Sequence, residues 1–143
     1  MAATTIERAP LGAIHPFHAV MLAATVPLFL GALLSDYAYW SSHHIQWANF
    51  ASWLIAGGLM FGAVALLCAL LGLLRRDSRG GRRLLYTLLL VVTWALGFIN
   101  ALVHAKDAWA AMPTGLVLSV IVTVLALAAT WIGFSTLRGG GRS

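Results

Sequence analysis

The fold class this sequence predicts is an all-α membrane protein: a single bundle of four transmembrane helices with both termini cytoplasmic. Three observations predict it. Of 143 residues, 61% are hydrophobic and only 9% charged, where soluble domains carry roughly a quarter charged residues. Four apolar stretches each approach or exceed the ~20 residues needed to cross ~30 Å of hydrocarbon. The basic residues gather on alternate loops, the bias that orients multi-pass proteins. Runs this long and continuous are helices, since barrel strands are ~10 residues of alternating polarity. In hydrocarbon, only helices and closed barrels satisfy their backbone groups.

The elements follow in order. Residues 1–16 form a cytoplasmic tail. The first span, about 17–40, opens on "IHPFHAVM", with Pro16 at an early position where its missing N–H costs nothing. Pro27 lies inside the span and predicts a kink. Glu7, Arg8 and Pro10 precede a run longer than a signal-peptide core, with no small-x-small site after it, so the span is expected to be retained. "SDYAYWSSHHIQWANFASW" reads as an outside connection, with Tyr37, Tyr39, Trp40, Trp47 and Trp53 as an aromatic belt. The second span, about 50–74, carries Gly58 and Gly62 as a GxxxG, which permits close helix approach within the chain or between protomers. The third span covers about 84–104 and the fourth about 115–137. Residues 138–143 are a flexible cytoplasmic tail. No room remains for a separate soluble domain.

A net charge of +5 invites a nucleic-acid reading, and the placement of that charge excludes it. Five of the nine basic residues (Arg75, Arg76, Arg79, Arg82, Arg83) lie between spans two and three; Arg8, Arg138 and Arg142 flank the termini, and only Lys106 lies on the other side. The loops around His43–His44 and Lys106–Asp107 are therefore expected outside, and the basic patches toward anionic headgroups. Cys68 is the sole cysteine, which excludes disulfides and CxxC redox pairs. No nucleophile motif, phosphate loop or dinucleotide fingerprint is present, so no stand-alone enzyme is expected.

Polar residues within the spans carry what functional signal there is. Thr93, Gly97, Asn100 and His104 share one face of the third helix; Ser119, Thr123 and Thr130 share one of the fourth; His18, Thr25 and Asp36 share one of the first. Such stripes turn inward or toward a partner. Serine and threonine hydroxyls there are ordinary packing groups, since they also bond their own helix. "NALVHAKDAW" is denser: Asn100, His104, Lys106 and Asp107 converge where the third span meets the outside, and Asp36 is placed to face them. His104 with His43 or His44 meets the minimum for a b-type haem held by histidines on different elements. His15 and His18, three apart on one helix, cannot do so within one protomer. A zinc site from His43, His44, His104 and Asp107 is conceivable by ligand type, but the spacing matches no metal-binding pattern. The candidate cofactor-binding residues are thus His104, Asn100, His43, His44, His18, His15 and Asp36, with Asp107, Lys106, Gly58 and Gly62 as interface residues.

"PLGAIHPFHAVM", with its HPxH opening, resembles the bacterial membrane family called domain of unknown function 2231. The resemblance extends over most of the chain: four spans, a polar residue near the outer end of the first helix, a basic inner loop and a histidine at the outer end of the third. Many members read HPLHP, whereas Ala19 stands here for the second proline, and the family's later histidine-Phe-Pro element is Thr25-Val26-Pro27. The resemblance implies a multi-pass protein of the bacterial inner membrane. Relatives are fused to, or encoded beside, Rieske iron–sulfur domains and quinoprotein sugar dehydrogenases. That implies an anchor or electron-transfer subunit for a periplasmic redox partner, in its stronger form binding one b-type haem or a quinone. By position, the implied residues are His15, Pro16, His18, Asp36 and His104. Two other readings stand beside it: an oligomeric small-solute transporter or channel-like protein, and a purely structural assembly factor. No nucleic-acid partner is expected; the lipid bilayer is.

Overall fold

The computed structural model describes residues 14–75 and 81–138, with side chains as far as residue 135. The tail before Ile14, Arg76 and Arg79 of the basic loop, and the tail beyond Arg138 lie outside the described residues. Among those described there is no strand. Four helices are long and apolar enough to span a membrane. They are α1 (Pro16–Ser42), α2 (Ile45–Leu74), α3 (Gly81–His104) and α5 (Thr114–Arg138), with a one-turn helix α4 (Ala108–Ala111) between the last two.

His15 caps α1, its Nδ1 accepting from the Phe17 N–H at 3.2 Å, and Pro16 takes the first helical position. The helix continues unbroken through Pro27. It stops at His43, which adopts the left-handed conformation (φ 58) and donates its N–H to the Tyr39 carbonyl at 2.7 Å. His44 then starts α2. The expected outside connection therefore contracts to two residues. Most of its aromatic residues ride on the last turns of α1 and the first turns of α2, because nothing between Ser35 and Ser42 or after Ile45 breaks a helix. Trp40, Trp47 and Trp53 are exposed and Tyr39 is buried.

α1 packs against α2 and α5, and α3 packs against the same two helices. α1 and α3 are thus diagonal partners across the bundle axis. Leu22, Ala65, Ala69, Tyr86, Leu90 and Ala129 form the core toward the termini, and Phe29, Val122 and Ala126 the core nearer the middle. Small residues from α2 and α5 let the diagonal pair share the centre. The outside of the bundle is a coat of exposed Leu, Val, Ile and Trp, which is how a protein solvated by lipid satisfies its surface.

The GxxxG of α2 is used inside this bundle. A Cβ on Gly58 would lie 2.7 Å from Phe29 Cε1, and one on Gly62 would touch Trp94 and Thr25. The Phe29 ring is 3% exposed and has nowhere to retreat. Gly58→Ala is expected to destabilise the bundle by about 1–3 kcal/mol through overpacking. Thermal unfolding in detergent checks it; an unchanged midpoint would mean that this contact has slack.

Candidate functional site

The three polar stripes all face the bundle interior. His18, Thr25 and Asp36 on α1, Thr93 and Asn100 on α3, and Ser119 and Thr123 on α5 are buried. Most hydroxyls bond their own helix one turn back, as Thr25 does to Leu22, Thr93 to Leu89 and Thr123 to Ser119. Thr123 also donates to the Phe29 carbonyl at 3.1 Å, tying α5 to α1.

At the end carrying the His43–His44 turn, here the distal end, four side chains from three helices form one network. His104 Nε2 lies 2.7 Å from Asp36 Oδ1, with the Asp36 side chain 0% and the His104 side chain 2% exposed. His104 Nδ1 lies 2.9 Å from the Asn100 carbonyl one turn back. Ser119 donates to Asp36 Oδ2 at 2.5 Å and accepts from the Asn100 amide at 2.9 Å. The imidazole is packed on its open side by α5: a Cβ on Gly115 would lie 2.8 Å from His104 Cε1. Glycine at this position is what lets the ring seat between α1 and α5. Every hydrogen-bonding group of the dyad is engaged, while Asn100 Oδ1 is buried with no partner.

The opposite end carries a smaller pair. His18 Nε2 and the Tyr86 hydroxyl are 2.8 Å apart and buried. His18 and Tyr86 are 68 positions apart in the chain, as are Asp36 and His104. Each end of the diagonal α1–α3 pair is therefore closed by a polar bond across the bundle centre. Between them, Thr25, Phe29, Gly62, Leu90, Thr93 and Trp94 line a cavity of about 10 Å³, room for about one water. Removing one hydroxyl tests the inner pair: Tyr86→Phe leaves His18 Nε2 unpaired and is expected to cost about 1–2 kcal/mol. A detergent unfolding curve matching the wild type would mean that the hydrogen bond adds nothing.

The other candidate residues fall outside the network. His43 is exposed and makes tilted ring contacts with Tyr39 and Trp109, at ring-centroid distances of 6.2 and 5.7 Å. His44, Lys106 and Asp107 are exposed, and His15 is an exposed helix cap. Among the described residues no group of three or more His, Cys, Asp or Glu side chains is placed to hold a metal. The arrangement does not fit a bis-histidine haem. Both nitrogens of His104 are bonded to protein groups, its side chain is buried, and His43 faces aromatic rings. Sequence reasoning passes over Tyr86 and Gly115, and reads Ser119 as a packing hydroxyl. The one available signal for Ser119 is its place on the α5 stripe.

The family model described as "Predicted membrane protein (DUF2231)" matches residues 14–137. No curated protein and no solved structure matches the chain.

Proposed function

We propose a function on the premise that this chain belongs to the DUF2231 family of predicted membrane proteins: it is a multi-pass anchor of the bacterial inner membrane that docks an outward-facing redox protein. The single observation that carries this reading is the distal network. Asp36, Asn100, His104 and Ser119 fix the ends of α1, α3 and α5 relative to one another, and so present a preorganised platform. Around that platform Trp40, Trp47, Trp53 and Trp109 are exposed, the last two at 78% and 80%. Exposed tryptophans serve both the headgroup belt and a docked partner. The excess of arginine around the basic loop and termini supports a periplasmic distal end.

The anchor form is favoured over a haem-bearing subunit because His104 offers no unoccupied nitrogen. It is favoured over a pore because buried side chains, Leu22, Phe29, Leu90, Val122 and Ala126 among them, occupy the bundle interior between the two polar pairs. Gly58 and Gly62 face α1 and α3 rather than a second protomer.

The test places a photo-crosslinking residue at Trp109 in living cells, with Val124 on the exposed middle of α5 as control. Crosslinking to an outer-facing iron–sulfur or quinoprotein from Trp109, and not from Val124, is expected. In parallel, a Trp109→Cys variant in a Cys68→Ser background should react with a membrane-impermeant maleimide added outside. Labelling that needs access from the cytoplasmic side would reverse the orientation and sink the proposal.

A further inference from the structure

The hydrogen-bond directions at the distal end leave one proton to be placed. The Asn100 carbonyl can only accept, so the 2.9 Å contact requires a hydrogen on His104 Nδ1. The Asn100 amide donates to Ser119, whose own hydrogen then goes to Asp36 Oδ2. Donation therefore runs from Asn100 through Ser119 to the carboxylate. That leaves the 2.7 Å contact between His104 Nε2 and Asp36 Oδ1. A bare imidazole nitrogen and a bare carboxylate oxygen would meet there lone pair to lone pair. A hydrogen must lie between them, bonded either to Nε2, as imidazolium and carboxylate, or to Oδ1, as neutral imidazole and acid. Both forms hold the same number of protons and leave the pair neutral.

We propose that the Asp36–His104 contact is a binding site for a single proton, enclosed in the bundle and shared by the two side chains. No other charge inside the bundle takes over its role. α2 contains no acidic or basic residue between Ile45 and Leu74, and α5 none before Arg138. On α1, Asp36 is the one charged residue. On α3 the remaining charged side chains, Arg82 and Arg83, belong to the opposite end of the helix. Lys106 and Asp107, just beyond α3, are exposed, as are His43 and His44. Losing the proton without a rearrangement would strand a buried negative charge, which costs several kcal/mol.

The ring of His104 is closed off by Gly115 at the start of α5, so the proton reaches solvent only when this packing loosens. The connection Ala105–Pro113 joins α3 directly after His104 to α5 just before Gly115. The inference does not depend on the identity of the partner or on the anchor reading.

The experiment is NMR of the full chain in detergent micelles near neutral pH, with nitrogen-15 in the histidine rings. The five histidines are resolved by the loss of one set of signals in His104→Gln. Hydrogens on both ring nitrogens of His104, one of them strongly downfield and slow to exchange with solvent deuterium, are the expected result. A neutral ring with a downfield Nδ1 hydrogen and a protonated-carboxyl infrared band that disappears in Asp36→Asn is the other form of the same site, and also supports it. A bare Nε2 together with an ionised Asp36 would overturn the proposal. The wild-type chain decides this by itself, so a failure of Asp36→Asn to fold does not leave the question open. Ser119→Ala should retain the shared hydrogen; its loss from a folded Ser119→Ala protein would also overturn the assignment to the dyad.

Discussion

Asp36→Ala is expected to lower stability by about 3–5 kcal/mol, the largest effect of any single substitution in the bundle. Asp36 is fully buried, shares a hydrogen bond with His104 and accepts one from Ser119. Truncating it removes the hydrogen-bond partner of two groups that remain in place and cannot reach water. Ordinary interhelical hydrogen bonds in membrane bundles average only ~0.6 kcal/mol, so the magnitude separates a coupled buried pair from a routine bond. The paired replacement Asp36→Leu with His104→Leu should cost less than Asp36→Ala alone, because two apolar side chains leave no stranded polar group. Chemical or thermal unfolding in mild detergent gives both numbers. A cost for Asp36→Ala below about 1 kcal/mol would mean that the network is loose or hydrated.

Gly115→Ala is the second large effect. Its new methyl group would sit 2.8 Å from His104 Cε1, and the imidazole cannot give way without breaking a bond at one nitrogen or the other. A loss of about 1–3 kcal/mol is expected from overpacking, together with a change in the His104 ring signals that a remote packing defect would not cause. Gly72→Ala is the internal control, since nothing lies within 4 Å of its Cβ position. There the removal of a helical glycine is expected to be neutral or to stabilise by roughly 0.5–1 kcal/mol. Equal losses at both positions would rule out a specific contact at Gly115.

Much of the fold is legible before any coordinates. Continuous apolar length alone separates four spanning helices from strands, and the inward polar stripes follow from spacing on each helix. The distal meeting of Asp36, Asn100 and His104 is likewise predictable, since each is a costly residue near the same end of a span. Helix limits at the first turn are not legible. "SSHH" looks like loop because serine and histidine are polar, yet the chain reverses at His43 in a single left-handed residue, and the flanking aromatic segments stay helical. Ser119 is hidden by its chemistry: most span hydroxyls here bond their own helix, and only the depth match with Asp36 turns this one across to α1. Tyr86 follows the basic loop closely, so it reads as an interfacial aromatic. Gly115 is invisible because a glycine near a helix start reads as a boundary, while its role is to make room for a ring 11 positions earlier.

The equal separation of the two polar pairs turns α1 and α3 into a gauge. His18 to Asp36 and Tyr86 to His104 are both steps of 18 residues, which is five full helical turns and about 27 Å of rise. Both bonds thus lie on the same side of each helix, at a separation close to the hydrocarbon thickness of a bilayer. A one-residue insertion in α1 would turn one end by about 100° relative to the other, so that only one bond could form. Inserting seven residues into both helices would come back nearly into phase with about 10 Å of added length. Evolution can lengthen such a protein for a thicker membrane only in paired, nearly whole-turn increments, and bilayer thickness becomes a quantity that the chain has in effect written into its own register.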